Sequence, residues 1–425
     1  MALRTDAKFI TALRRGTQKS VEHLSSADIV VGIPAYYNAE TIAFVIETAS
    51  KGLELYFSEY KAVIFVADGG STDDTREAAR EIGIESFNVE KIVAIYRGVP
   101  GKGSAVRAIF EAAHFLGARA VALFDADLRS ITPEWIKNVI EPILNGYAYV
   151  TPLYNRYKYD ATITNTIAYD LTRTLYGVCI RQPIGGDFGI GGALVKSYLE
   201  EDVWESDIAK FGIDIWLTTT AIVKKAKICE ARLGVKIHDE KEPSHDLSPM
   251  FREVVGTIFS LMDAHESFWM RVKSSKPVDI VGEFIGEQPE PFVVDQGAMI
   301  EYFKLGFNNF GTIWKKLLDK KLYASIEALA QSEEVRDFVI PIEKWVMIVY
   351  DYTCAFHATP HQEFKLLDTM IPLYYARVAS MVNELEEKDT QESETYFEAQ
   401  AEAFEKLKPY LEKCWIKGDA ARGQG

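Results

Sequence analysis

Short apolar runs recur along the first third of the chain, and each gives way to a polar or glycine-rich stretch. IVVGIP (29–34) is closed by Pro34, and AVIFVA (62–67), IVAIY (92–96) and AVALF (120–124) follow it. Runs of this length bounded by turn residues predict buried strands. Between them the apolar positions take helical spacing, as in TREAAREIG and GSAVRAIFEAAHFLG. Strands alternating with helices predict an α/β fold with a parallel sheet of βαβ units.

Thr132-Pro133-Glu134 predicts a helix start, with a capping hydroxyl, proline at the first helical position and an acid in the first turn. The loop before it therefore lies at the carboxyl end of a strand, where open α/β sheets bind ligands. From 273 to 296 the chain is rich in proline, glycine and acids and loses helical spacing, which predicts a linker or surface excursion. Beyond it, amphipathic stretches such as 366–387 predict a mainly helical region. The expected organisation is an N-terminal arm over 1–27, an α/β domain over 28–272 and a linker with helices over 273–425. No internal repeat interrupts it, and the tail GDAARGQG is expected to be disordered.

A chain of 425 residues, 48% of them apolar, can bury a full core. The formal charge of −15 argues against nucleic acid as a partner, because a phosphate-backbone binder carries a basic stripe. No apolar run approaches the ~18 residues of a membrane span, and the first twenty residues carry charges where a signal peptide needs an apolar stretch. A cytoplasmic protein without a membrane partner is expected. Cys179, Cys229, Cys354 and Cys414 form no CxxC pair, so buried thiols are expected in place of a zinc site or disulfides.

The candidate chemistry centres on Phe124-Asp125-Ala126-Asp127, an apolar strand ending in two carboxylates one residue apart. Hard oxygen ligands at such a place suit Mg²⁺ or Mn²⁺, which bind through one or two carboxylates and substrate phosphates. Taken alone, such a pair is more often a pair of solvated loop acids or caps. Its company changes the weight: PAYYNAET (34–41), DGGSTDDT (68–75) and Arg97 with Gly101-Lys102-Gly103 end the other strands, lining one sheet edge.

With these motifs in place, residues 28–272 resemble the nucleotide-diphospho-sugar transferases of the GT-A fold. Among them the chain is most similar to the retaining enzymes mannosylglycerate synthase, glucosylglycerate synthase and glucosyl-3-phosphoglycerate synthase. The likeness lies in an ordered set: PGKG, DAD, Arg156 with Asp160-Ala161 and Thr164, Gln182-Pro183-Ile184-Gly185-Gly186, Gly212-Ile213-Asp214, and His238.

The resemblance implies that Pro34, Tyr36 and Asp68 bound the nucleoside pocket, although Asn38 stands where the family has an acid. Pro34 reads equally as a strand end and Asp68 as a turn cap. Lys102, opening a helix between two glycines, is expected on the donor diphosphate with the first helical amides. Asp127 is the implied direct metal ligand with His238, Asp125 and Ala126 lie by the ribose and metal, and His245 competes with His238. Arg156, Asp160, Ala161 and Thr164 form the implied acceptor pocket, Arg156 clamping a carboxylate. Gly185 and Gly186 let a sugar approach backbone, or simply make a tight turn, with Asp187 taking sugar hydroxyls. Asp160 and Asp214 each read alternatively as an N-cap, and Asp214 otherwise lies near the donor sugar.

The implied reaction moves glucose or mannose from a GDP-, UDP- or ADP-hexose to D-glycerate with retention, giving an α-glycosylglycerate compatible solute. The catalytic set is Asp127, Lys102 and Asp214, the last electrostatic or sugar-positioning. Glycerate is preferred over 3-phosphoglycerate because Asp160 would repel a phosphate, unless Lys158 offsets it. A polyprenyl-phosphate transferase lacks support from any basic amphipathic helix, nucleotidyl transfer needs a glycine-rich loop that PAYYNAET is not, and a non-catalytic sensor would lack catalytic residues that are present here. The C-terminal helices are expected to make a homodimer.

Overall fold

The structure, a computed structural model, describes residues 11–84, 86–237, 247–283, 286–359 and 363–422. His238, His245 and the last three residues of the tail lie outside them. The described strands are β1 Ile29–Ala35, β2 Ala62–Asp68, β3 Val89–Ile95, β4 Ala120–Leu123, β5 Tyr149–Asn155, β6 Val178–Cys179, β7 Phe188–Gly191, β8 Ile228–Val235, β9 Lys276–Pro277 and β10 Asp279–Val281.

The chain divides into two compact units, and both are discontinuous. The first comprises Met1–Asn155, Ile180–Glu240 and Val278–Pro289, and the second Arg156–Cys179, Lys241–Pro277 and Glu290–Gly425. Composition suggests a single break near residue 272, but it cannot register two excursions that leave one unit and return.

The first unit holds an eight-stranded sheet in the order β10-β8-β5-β7-β4-β1-β2-β3. All neighbouring pairs are parallel except those of β7, which runs antiparallel between β4 and β5. The all-parallel expectation is thus corrected by FGIG, a strand too short and glycine-rich to show periodicity. β2 and β3 extend from one side of β1 and β4 from the other, so the order reverses at β1/β4. That crevice, outside the carboxyl ends of the strands, is where doubly wound sheets bind ligands.

Side chains alternate across each strand. Ile29, Val31 and Ile33 join the helices Ile42–Phe57 and Pro133–Leu144 in one buried cluster. On the opposite face Gly32 lets the helix Lys102–Leu116 press close: a Cβ there would lie 2.4 Å from Ile109 Cγ2. Thr132 does occupy the cap position before Pro133, yet its hydroxyl caps no backbone amide. The expected linker also contributes structure, since β10 pairs with β8 at the sheet edge.

The second unit is mainly helical, with helices at Ser248–Ala264, Gln296–Leu317, Lys320–Ala330, Ile342–Ala358, Glu363–Leu385 and Thr390–Arg422. Its centre holds Arg377, fully buried and matched to Glu384 Oε2 at 2.7 Å, Gln400 Oε1 at 2.7 Å and Ile340 O at 3.0 Å. A buried guanidinium is tolerated only when it is paired and largely hydrogen-bonded; here both Nη groups are met, and Nε is left without a partner. Cys229 and Cys354 are buried, while Cys179 and Cys414 are only half-buried, correcting the expectation of four buried thiols; all are free. Among the described residues, no helix is long and apolar enough to cross a membrane.

Candidate active site

At the carboxyl end of β1 the backbone turns sharply, with Tyr37 at φ 57°. Asn38 fixes this turn: its Oδ1 accepts from Tyr36 N at 2.8 Å, and its own N–H donates to Thr75 Oγ1 at 2.8 Å. Tyr36 is left 60% exposed beside Gly69, where a Cβ would lie 2.9 Å from the Tyr36 ring. It is an open aromatic surface at the switch point, suited to a base or ribose. Pro34 lies half-buried in β1 opposite Ala67.

Asp68 was expected at the nucleoside, and its geometry says otherwise. Fully buried, it accepts from Gly70 N at 2.8 Å, Ser71 N at 3.0 Å and Ser71 Oγ at 2.5 Å, with Arg76 Nε at 3.6 Å. The carboxylate is spent within its own turn.

Lys102 opens its helix between glycines because another backbone crosses there. A Cβ on Gly103 would fall 2.0 Å from Ile208 O, and one on Gly101 2.6 Å from Ala209 O. The side chain is thereby aimed at two carboxylates, Asp125 Oδ1 at 2.8 Å and Asp214 Oδ2 at 3.0 Å. Burial alone would lower the lysine pKa; the Asp125 and Asp214 charges overcome it and hold the ammonium above its ordinary range.

The two acids after β4 differ in kind. Asp125 is gripped from both sides, by Lys102 and by Lys236 Nζ at 2.9 Å from Oδ2. Burial would raise its pKa, but the two ammonium groups hold it well below the usual carboxylate range. Asp127 is half-buried and makes no hydrogen bond or ion pair among the described residues. Ala126 between them is buried, and its carbonyl accepts from Thr41 Oγ1 at 2.7 Å, fixing which way the two acids point.

Asp187 was expected to meet sugar hydroxyls; it is instead wholly buried and saturated. Its Oδ1 accepts from Asp125 N at 2.8 Å, and its Oδ2 from Lys236 Nζ at 2.9 Å and from the Tyr154 hydroxyl. Burial raises its pKa in spite of Lys236. The preceding residues do form a tight turn, Gly185 N donating to Gln182 O at 3.1 Å. Gly186 has φ 90°, and a Cβ there would lie 2.2 Å from Asp125 Oδ2. Turn and close approach are one feature.

Asp214 lies inside the helix Ile213–Val223, whose cap residue is Gly212, so it is no N-cap. Its Oδ2 faces Lys102 while its buried Oδ1 has no hydrogen-bond partner. Burial lifts its pKa, Lys102 opposing and Asp125 adding to the rise.

Arg156, Asp160, Ala161 and Thr164 belong to the second unit. Arg156 Nη1 meets Asp160 Oδ2 at 2.7 Å, and Asp160 Oδ1 accepts from Ala161 N at 2.6 Å. Ala161 sits at φ 53°, a costly backbone region for a residue with a Cβ. Thr164 is buried at the start of a π-helical turn, Thr164–Ala168, an irregularity frequent at functional sites. Lys158 caps a helix end, donating to the carbonyls of Leu385, Glu386 and Lys388 at 2.6–2.9 Å, and is unavailable to offset Asp160.

Among the described residues no three His, Cys, Asp or Glu side chains form a ready metal cluster. The unpaired Asp127 nonetheless fits Mg²⁺ or Mn²⁺, which keep several waters and bind by one or two carboxylates plus phosphate. Ile237, the last residue before the undescribed segment, receives Arg129 N on its carbonyl at 2.8 Å and donates to Ser130 Oγ at 2.8 Å. The chain therefore leaves β8 alongside the Asp127 loop. Lys236 and Tyr154 were not singled out in the sequence. The one available signal was a cation directly after an apolar strand, two residues before the candidate histidine.

Residues 30–201 match the family model described as Glycosyl transferase family 2. Glycosyltransferase AglJ of Haloferax volcanii is 36% identical over 117 residues, 28% of this chain and 33% of that one. Glucosyl-3-phosphoglycerate synthase of Mycolicibacterium paratuberculosis is 26% identical over 250 residues, 55% of this chain and 71% of that one. The chain thus spans a third of the archaeal relative's length. Among solved structures, glucosyl-3-phosphoglycerate synthase from Mycobacterium tuberculosis in complex with Mg²⁺ and uridine diphosphate is 26% identical with a TM-score of 0.45, covering 59% of this chain and 85% of that one.

Proposed function

We propose that this chain, whose residues 30–201 are a glycosyl transferase family 2 domain with the GT-A fold, is a metal-dependent, retaining glucosyltransferase that acts on 3-phosphoglycerate. The mycobacterial relative, glucosyl-3-phosphoglycerate synthase, supports the sugar and the acceptor. One observation carries the site: after β4, at the switch point of the sheet, Lys102 pairs with Asp125 while Asp127, two residues on, is left unpaired.

An ammonium has three N–H donors, and Lys102 uses two on Asp125 and Asp214. The remaining one is suited to the donor diphosphate. Asp127, with His238, would hold a divalent cation that stabilises charge on the leaving diphosphate. Tyr36 supplies a face for the nucleoside. The buried, unsatisfied Oδ1 of Asp214 is a ready acceptor for a hydroxyl of the donor sugar. Because Lys102 holds its other oxygen, Asp214 is a poor nucleophile, and we favour same-face attack with the leaving phosphate accepting the acceptor's proton. A trapped glycosyl-Asp214 adduct would contradict that mechanism.

The acceptor pocket is assigned to Arg156, Asp160, Ala161 and Thr164. D-Glycerate was preferred because Asp160 would repel a phosphate; Arg156 neutralises that carboxylate, which removes the objection. Glycerate therefore becomes the second reading. The exposed Tyr302, Leu305 and Ile313 on the helix Gln296–Leu317 support a homodimer, and light scattering from a monomer at micromolar protein would contradict it.

The test is nucleoside-diphosphate release from UDP-, GDP- and ADP-hexoses with Mg²⁺ or Mn²⁺, offering each acceptor in turn. Turnover only with 3-phosphoglycerate supports the proposal. Turnover only with glycerate selects the second reading.

A further inference from the structure

Lys236 follows β8 directly and its side chain is 4% exposed. Its ammonium meets three oxygens from two other segments: Asp125 Oδ2 at 2.9 Å, Asp187 Oδ2 at 2.9 Å and Gly185 O at 3.0 Å. The Tyr154 ring lies 5.1 Å away, closing the apolar side. Three oxygens thus converge on one ammonium. Lys102 differs, with two carboxylate partners and a more open side chain. The two lysines share Asp125 but are built for different tasks.

The three segments are the acids after β4, the turn Gln182–Asp187 and the end of β8. Without a cation, Asp125 and Asp187 would face each other as like charges in a buried place, since Asp187 already reaches the Asp125 backbone at 2.8 Å. A compact ammonium can serve three converging oxygens; a planar guanidinium cannot occupy the same point. The turn so anchored carries Gly186, whose bare Cα faces Asp125 Oδ2.

We propose that Lys236 is a positioning residue for the donor sugar: it fastens the Gly185–Asp187 turn to Asp125 and so sets the surface against which the hexose is read. This rests on the glycosyltransferase function proposed above. Lys236 acts through Asp125 and the turn, and does not reach the diphosphate.

The test compares full-length wild type with Lys236→Met and with the double variant Lys236→Met/Asp187→Asn, in which one buried positive and one buried negative charge are removed together. Two quantities are read: the ratio of kcat/KM for the accepted donor over its 4-epimer, and the inhibition constant of the free nucleoside diphosphate. A change in the fraction of folded enzyme leaves both unmoved. The expected result in the double variant is a fall of about tenfold or more in the ratio, the range that lost polar contacts to a substrate hydroxyl produce, with nucleoside-diphosphate inhibition within about threefold of wild type. An unchanged ratio overturns the inference. So does inhibition weakened about tenfold or more, which would mean that Lys236 reaches the diphosphate. Failure of the wild type to turn over any sugar nucleotide is a different result: it removes the function on which the inference rests.

Discussion

Lys102 Nζ lies 3.0 Å from Asp214 Oδ2, so the first residue of one helix is locked to the second residue of another. The pair holds a cation in the site, while the other oxygen of Asp214 is buried without a hydrogen-bond partner. Replacing Lys102 by Met should lower kcat/KM by roughly 10²–10³, the usual scale for losing one preorganised charge at a developing anion. Circular dichroism should still report a folded protein, because Lys236 continues to balance Asp125. Steady-state kinetics on the folded variant checks both parts.

Gly186→Ala puts a methyl group at φ 90°, and its Cβ 2.2 Å from Asp125 Oδ2. Either the turn or the carboxylate must move. A loss of about 1–3 kcal/mol in stability is expected from the backbone strain, with a larger proportional loss of activity. Thermal melts beside kinetics separate the two, and wild-type activity would show that this approach has no functional part.

Asp351 gives a pH prediction away from the site. It is buried in the second unit, where burial pushes its carboxyl up to about 6, with Tyr410 donating to it and opposing the rise. The folded pKa exceeds the unfolded value of about 3.9. Between these values the folded state binds more protons, so stability falls as pH rises from about 4 to about 6. The penalty above that window is on the order of 3 kcal/mol. Asp351→Asn should therefore raise Tm at pH 7.5 and change it little at pH 4, and an equal shift at both would refute the assignment.

Arg156→Lys keeps the charge and removes the planar fork. If Arg156 holds the acceptor, KM for 3-phosphoglycerate should rise by about tenfold or more, while KM for the donor stays within about twofold. Initial rates varied in each substrate distinguish this from a general loss.

Much of this architecture was legible in the chain. The apolar runs before Pro34, Asp68 and Asp125 located three central strands, and the glycines around Lys102 located the helix that points it inward. What escaped was set by contacts distant in sequence. FGIG carries no period, so the antiparallel strand between β4 and β5 was invisible. Asp68 and Asp187 looked like ligand contacts because a free and a saturated carboxylate share one letter. Lys236 looked like any strand-end lysine, since its partners lie 111 and 49 residues away. Asp160 seemed to exclude a phosphate only while Arg156 was considered apart from it.

The central claim is that Asp127, rather than the lysine-bound Asp125, serves a metal-dependent glucosyl transfer to 3-phosphoglycerate. The most direct measurement is product formation from UDP-glucose and 3-phosphoglycerate by wild type and Asp127→Asn, with and without Mg²⁺, followed by NMR of the anomeric proton. An α-linked glucosyl-phosphoglycerate is predicted from wild type with metal only, and none from Asp127→Asn under either condition. A β-linked product, or undiminished turnover by Asp127→Asn, would contradict the account.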